Sequence, residues 1–348
     1  MKTLRVGLGE RSYDILIERG ILRRAGEFVA SKGGKAMVIT DSNVAPLYLG
    51  TVAESLRGAG LQVRSVTMPA GEKSKSFSSL PRLYSLALDF GLTRSDVVVT
   101  LGGGVVGDLG GFMAATYMRG VRFVQIPTSL LAQVDSSVGG KVGVDLPEGK
   151  NLAGAFHQPA CVLIDPDVLD TLPPYYVADG MGEVIKYGCI KDRALFETLE
   201  EINGDKERLF EHIEQIIYTC VDIKRLVVEH DERESGERKL LNFGHTYGHA
   251  LEKIRHYELS HGAAVAAGME HITRISESRG QTVPGCAERI GRVCRAFGLD
   301  LQARADIDEI VAAVRNDKKS SGEGLDVVLL HDIGSAYTFR TTPEYFRG

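Results

Sequence analysis

Asn242-Phe243-Gly244-His245-Thr246-Tyr247-Gly248-His249-Ala250-Leu251-Glu252 places two imidazoles, His245 and His249, one helical turn apart on a single face. Such a pair can bind a divalent cation, as in helices of the His-Glu-x-x-His kind, although the intervening glutamate is missing here. The plain alternative is a helix surface. A third imidazole, His261, opens the segment Ser260-His261-Gly262-Ala263-Ala264, and the glycines and small residues beside all three imply close packing at a site. Gly180-Met181-Gly182-Glu183-Val184-Ile185-Lys186-Tyr187 puts two ionisable groups in the middle of an apolar helix, where each must be paired or ligated. The plain reading is a Glu183–Lys186 contact at (i, i+3), which would satisfy both.

A second chemistry is written in Gly102-Gly103-Gly104-Val105-Val106-Gly107-Asp108, which contains a literal G-x-G-x-x-G after an apolar strand. Glycine lets such a turn tighten and lets backbone N–H groups face a pyrophosphate at the start of the next helix. A purely structural turn has the same spelling. The position is also unlike the ordinary dinucleotide fingerprint, which sits on the first strand with an acidic residue about 20 positions later. Here the turn follows several α/β elements, and the acidic residue at a strand end, Asp41, lies well upstream. Lys141, after Gly139-Gly140, and Lys150, after Gly149, suit phosphate or carboxylate groups, because lysine is a compact charge and glycine clears the approach.

The elements that must position these groups fall into two textures. An opening hairpin is expected from Leu4–Leu8 and Tyr13–Ile17. Strands follow at Lys35–Thr40, Leu61–Met68, Asp96–Leu101, Arg122–Ile126 and Cys161–Ile164, with helices at Phe77–Phe90 and Gly107–Arg119, and Asp41 or Ser42 capping another. Apolar strands separated by helices predict an α/β, Rossmann-like part: a mostly parallel sheet with helices on both faces. Val138–Asp145 reads as an extra hairpin before the last strand. Past Pro166 apolar residues recur at helical spacing through Ala178–Cys189, Leu195–Ile202, Leu209–Val228, Asn242–Ile254 and His261–Arg279, with strands only at Leu325–Leu330 and Ala336–Phe339. The boundary falls within residues 166–175, giving an α/β domain over 1–168 and a mainly α-helical domain over 169–348. Ligands of such an arrangement would sit at the strand C-termini, in the cleft between the halves.

Composition narrows the partners. A net charge of -5 argues against a general polyanion or nucleic-acid binder, yet leaves room for a local basic pocket around a small anion. The five cysteines are scattered and never spaced C-x-x-C, which argues against a disulfide framework or a thiolate zinc site and for a reducing, cytoplasmic setting. The first twenty residues lack a secretory pattern, and no apolar run reaches the roughly 18 residues of a membrane span.

Taken in order, GGGVVGDLGGFMAATYMRG, QIPTSLLAQVDSSVGGKVGVD, GKNLAGAFHQP, GMGEVIKYG, ERKLLNFGHTYGHALE and SHGAAVAAGM closely resemble the 3-dehydroquinate synthase family, over about residues 40 to 320. The resemblance implies conversion of 3-deoxy-D-arabino-heptulosonate 7-phosphate to 3-dehydroquinate and phosphate, a step of the shikimate pathway to aromatic amino acids. NAD is reduced and reoxidised within one turnover, a divalent metal (zinc or cobalt) is required, the substrate's own phosphate can act as base, and the enzyme is a homodimer. The metal ligands it implies are Glu183, His245 and His261, with His249 a substrate or proton-relay residue. It implies that Asp41, Glu72, Lys75, Gly104, Val105, Val106, Gly107, Asp108, Thr128, Ser129, Lys141 and Lys150 hold the dinucleotide. Asp135, Lys141, Asn151, Lys186, Lys224, Arg238, Asn242, His249 and Lys318 would contact the substrate, and Arg119 would reach a neighbouring subunit's site. Lys319 competes with Lys318 for that role. Of these, Asp135, Lys141, Lys186, Asn242 and His249 carry the catalytic expectation. Another sugar-phosphate cyclase, or a metal-dependent polyol dehydrogenase that releases reduced cofactor, shares the same plan. An inactive binding module is disfavoured by the intact Glu183, His245 and His261 set.

Overall fold

The computed structural model describes residues 1–256, 258–301, 305–317 and 324–348, and the chain divides into two compact units. The first comprises Met1–Leu172 with Lys224–Glu229, and the second Pro173–Ile223 with His230–Gly348. Lys318 and Lys319 lie outside the described residues.

The first unit is built on nine strands: β1 (Lys2–Val6), β2 (Tyr13–Ile17), β3 (Lys35–Asp41), β4 (Gln62–Met68), β5 (Val97–Gly102), β6 (Arg122–Pro127), β7 (Lys141–Leu146), β8 (Gly149–Phe156) and β9 (Cys161–Ile164). Seven of them form one sheet in the order β1-β2-β9-β6-β5-β3-β4, parallel except for the β1–β2 hairpin. The runs KAMVIT and VVVTL are apolar at consecutive positions because the sheet is covered on both faces. Met37, Ile39, Val98 and Phe123 pack toward α3 (Leu80–Phe90) and α4 (Gly104–Thr116). Their neighbours Ala36, Val38, Val97, Val99 and Val124 pack toward α1 (Ala25–Phe28) and α2 (Gly50–Gly58). The parallel α/β reading of the sequence is therefore the observed architecture.

Three local expectations give way. The inserted hairpin is β7–β8, spanning Lys141–Phe156 rather than Val138–Asp145, and Val142 and Val144 seat it on α4. Helix α4 starts at Gly104 rather than Gly107, so the glycine turn includes the first helical turn. Asp41 makes a tight turn in place of a helix cap: its Oδ1 accepts the N–H groups of Asn43 at 2.8 Å and Val44 at 3.1 Å.

The second unit holds α5 (Pro174–Ile190), α6 (Arg193–Ile202), most of α7 (Lys206–His230), α8 (His245–Ile254), α9 (His261–Ser278), α10 (Cys286–Ala296) and α11 (Ile307–Asp317). The hairpin β10 (Leu325–Asp332) and β11 (Ser335–Thr341) completes it. Helices α10 and α11 were absent from the sequence reading, although Ala287, Ile290, Val293 and Cys294 keep helical spacing and are all buried. Helix α9 lies at the centre, and glycines bring its neighbours close. A Cβ on Gly182 of α5 would stand 2.6 Å from the Gly262 Cα, and one on Gly248 of α8 3.0 Å from the Ala264 backbone. All five cysteines are buried and none forms a disulfide. Among the described residues, no helix is long and apolar enough to cross a membrane.

Candidate functional site

In the first unit β5 delivers the glycine turn directly into α4. Among the described residues no side chain caps the first-turn N–H groups of α4, which suits them to an anion. Side chains would intrude on the turn: a Cβ on Gly107 would stand 2.6 Å from Gln125 Oε1, and one on Gly104 3.1 Å from Ser136 Oγ. Val105 and Val106 lie in the same helical turn, with Val106 folded into the core. Thr128 anchors the next loop by donating its N–H to the Gly102 carbonyl at 3.0 Å, and Ser129 Oγ is the atom nearest a Cβ placed on Gly103. The displaced acidic residue finds its place through topology. Strand β3 pairs in parallel with β5, Thr40 opposite Leu101, so Asp41 ends beside the turn. From β3 the chain moves outward to β4 and returns to β5 on the other side, a reversal of strand order that marks ligand crevices in open α/β sheets.

Beside this turn Lys75 is buried and its ammonium pairs with Asp108 Oδ2 at 2.6 Å and with Asn151 Oδ1. Burial works against that charge, and Asp108 and Glu72 outweigh it, so the lysine pKa is raised. Glu72 bonds to Asp145 within electrostatic reach of Lys75 and Lys150. Asn151, in left-handed backbone (φ +57°), donates its N–H to Asp145 at 2.8 Å. Lys224 reaches Asp135 twice, at Oδ1 (2.9 Å) and at the backbone carbonyl (2.7 Å). Lys141 is exposed at the start of β7. Arg119 is exposed with φ +66°, and among the described residues no hydrogen bond or ion pair joins it to another predicted site residue.

In the second unit α5, α8 and α9 bring Glu183, His245 and His261 together. His245 Nε2 stands 3.5 Å and His261 Nε2 3.3 Å from Glu183 Oε1. A tetrahedral ion with bonds of about 2.0–2.2 Å holds its donors roughly 3.3 Å apart, so the spacing matches a zinc-type set. Among the described residues Glu183 Oε1 is buried with no hydrogen-bond partner, as a vacant ligand atom would be, while Oε2 pairs with Lys186. The Glu183–Lys186 contact expected from the sequence is therefore made, through one oxygen, and it leaves the other oxygen available to a cation. The ammonium of Lys186 also lies 4.9 Å over the Tyr187 ring.

The histidines are held differently. Burial pushes His245 down to about 3, so it is neutral. Its Nδ1 lies 3.1 Å from the Phe243 carbonyl, which only accepts, so Nδ1 carries the proton and Nε2 keeps its lone pair. Burial opposes the charge on His261, and the adjacent Glu183 and Glu252 carboxylates outweigh it, raising it to about 10. His249 is exposed, its ring 5.3 Å from that of His245 and 6.0 Å from that of His261. The 3-10 turn Glu237–Asn242 before α8 carries two further predicted residues: Arg238, whose N–H donates to Asp231 at 3.1 Å, and Asn242, whose amide donates to Glu234 at 2.6 Å.

Sequence reasoning overlooked two carboxylates here. Asp179, one turn before Glu183, accepts the Gly262 N–H at 2.6 Å and ties the start of α9 to α5. Glu252, buried on α8, has Oε2 3.7 Å from His261 Nδ1. Its (i, i+7) spacing from His245 put it on the histidine face, which was the available signal.

A parallel sheet with a glycine-rich helix entry at its switch point, joined in one chain to a buried carboxylate with two imidazoles, defines a class of enzyme that pairs a dinucleotide with a divalent metal. The chain matches the N-terminal part of 3-dehydroquinate synthase over residues 65–179 and its C-terminal part over residues 180–320. It is 52% identical to the 3-dehydroquinate synthase of Clostridium perfringens (strain 13 / Type A), over 99% of this chain and all of the relative. The chain belongs to the 3-dehydroquinate synthase family. Among solved structures it resembles 2-deoxy-scyllo-inosose synthase complexed with carbaglucose-6-phosphate, NAD+ and Co2+ (TM-score 0.89, 25% identity, 99% of this chain and 98% of that one). It also resembles ValA, a 2-epi-5-epi-valiolone synthase from Streptomyces hygroscopicus with NAD+ and Zn2+ (TM-score 0.88, 26% identity, 98% and 96%).

Proposed function

We propose that this chain converts 3-deoxy-D-arabino-heptulosonate 7-phosphate to 3-dehydroquinate and phosphate, as a lyase that retains its NAD. The observation that carries this reading is the full-length relationship to 3-dehydroquinate synthases together with an intact Glu183, His245 and His261 set. That set fits a divalent ion such as zinc or cobalt, and the glycine turn with Asp41 fits a dinucleotide. When bound, the metal supplies a positive charge beside a substrate oxygen, and the dinucleotide supplies a reversible hydride acceptor.

The rest falls to the chain's own residues. The uncapped N–H groups of Gly104 to Val106 receive the pyrophosphate, Gly107 keeping the approach clear of a side chain, with Thr128 and Ser129 shaping the adjoining loop and Asp41 taking a ribose hydroxyl. Glu72, Lys75, Asp108 and Lys150 form the charged wall of that turn. Lys141, Asn151, Lys224, Arg238 and Asn242 bind and orient an anionic substrate, which explains how a protein of net charge -5 takes a phosphorylated carboxylate. Asp135 holds Lys224 in place. His249 accepts or returns a proton at a substrate hydroxyl, and Lys186 keeps Glu183 ionised. The family reading further supports a cytoplasmic homodimer with Arg119 serving the neighbouring subunit, which light scattering and an Arg119→Ala variant test.

The deciding assay follows phosphate release from the heptulosonate phosphate with catalytic NAD and added zinc or cobalt. Stoichiometric phosphate without net NADH is the expected result. Net NADH formation on a polyol, with no phosphate released, would favour a dehydrogenase and overturn the proposal.

A further inference from the structure

His261 has two ring nitrogens, and both face carboxylates. Nε2 stands 3.3 Å from Glu183 Oε1, on the side of His245, while Nδ1 stands 3.7 Å from Glu252 Oε2. Glu252 is 2% exposed, inside α8 and far from the usual place of a charged residue. A carboxylate at such depth acts through contacts within the protein, and His261 Nδ1 is one of them.

We infer that Glu252 is the positioning residue of His261: its carboxylate holds the ring through Nδ1, so that Nε2 is presented to the ion beside Glu183. The inference rests on the metal reading proposed above. An acceptor at Nδ1 keeps the proton there and the lone pair on Nε2, and a carboxylate acceptor also makes the ring more electron-rich. His245 follows the same rule, with the Phe243 carbonyl at 3.1 Å in the acceptor's place. Both imidazoles are thus fixed from behind, one by a backbone carbonyl and one by a buried side chain. The fixing is reinforced by the frame, because Asp179 bonds the Gly262 N–H and locks the helix that carries His261.

A rival use of the same atoms exists. His249, Glu252 and His261 offer ligand atoms that lie within 4.8 Å of one another, the outline of a second cation site. It would have to share His261 with the first set through a ring bridging two ions. The positioning role needs neither a bridging ring nor a second ion.

The test is zinc binding to the metal-stripped protein, measured by calorimetry, with Glu252→Gln beside the wild type. One ion per chain in both, with affinity weakened roughly ten- to a hundredfold in the variant and its apo melting temperature near that of wild type, supports the inference. Unchanged affinity overturns it. Two ions in wild type and one in the variant also overturn it, making Glu252 a ligand. A wild-type protein that binds no zinc removes the metal reading itself, and this inference with it. If Glu252→Gln does not fold, histidine-selective nitrogen-15 NMR of the zinc-loaded wild type decides: His261 should show a protonated Nδ1 and a metal-bound Nε2, and the reverse tautomer overturns the proposal.

Discussion

At the glycine turn the candidate binding groups are backbone amides, whereas at the histidine cluster they are side-chain atoms held by partners. The turn works by what is missing: no Cβ at Gly104 or Gly107, and no side chain capping the first turn of α4. The cluster works by what is present. Oε2 of Glu183 has Lys186, Nδ1 of His245 has the Phe243 carbonyl, and Nδ1 of His261 has Glu252. A recycled dinucleotide needs a smooth cradle, while a metal needs rotamers fixed to within a fraction of an ångström. Errors therefore have different outcomes: an added atom spoils the first, and a removed one the second.

The largest effect is expected from His261→Ala. Metal content and phosphate release should vanish together, with turnover falling on the order of a thousandfold or more. Elemental analysis beside the phosphate assay checks this, and activity surviving rigorous chelation would contradict the ligand assignment. Gly262→Ala comes next, since its Cβ would meet the Asp179 carbonyl at 1.9 Å and backbone cannot step aside as a side chain can. Overpacking of this kind destabilises by roughly 1–3 kcal/mol or more. A thermal melt should drop by several degrees, with a loss of bound zinc that Gly107→Ala does not share.

Gly107→Ala sharpens the contrast from the other side. The atom in its way is the end of the Gln125 side chain, so the fold should survive while the KM for NAD rises about tenfold, about 1.4 kcal/mol of binding. Zinc content should stay at wild-type level, and a joint loss of both would erase the distinction between the two regions. The smallest effect belongs to Asp231. Burial pulls this carboxyl upward, but the N–H groups of Gly236, Ser235 and Arg238 outweigh it and hold it at about 2. A folded value below the unfolded 3.8 means that the stabilisation is complete above about pH 4 and is lost as pH falls toward 2. The melting temperatures of wild type and Asp231→Asn should therefore differ by a few degrees at pH 6 and converge as pH falls toward 2.

The parallel sheet was legible because KAMVIT and DVVVTL can be apolar without alternation only when both faces are covered. Hairpin β7–β8 was misplaced because GKNLAGAF is mostly small and polar and reads as loop, and its partner supplies the apolar residues that seat it. The start of α4 was set late because glycine has poor helix propensity, yet close approach of Ser136 to Gly104 and of Gln125 to Gly107 favours glycine there. Helical spacing placed His245 and His249 on one face, but it could not select between His249 and His261 as a ligand. That selection came from the family resemblance, since three helices distant in sequence converge on Glu183. Asp41 shows the limit of counting along the chain. It is far upstream of the turn in sequence and adjacent to it in the sheet, because strand pairing carries the neighbourhood that spacing does not.

The buried cysteines turn the molecule into its own clock. Burial raises Cys161 and Cys294 to about 12 and Cys286 to about 11, so at neutral pH none of these is a thiolate ready to react. A thiol reagent added to the native protein can then react only as fast as the structure opens. One thiol, Cys161, keeps time for the first unit, and Cys189, Cys220, Cys286 and Cys294 keep it for the second.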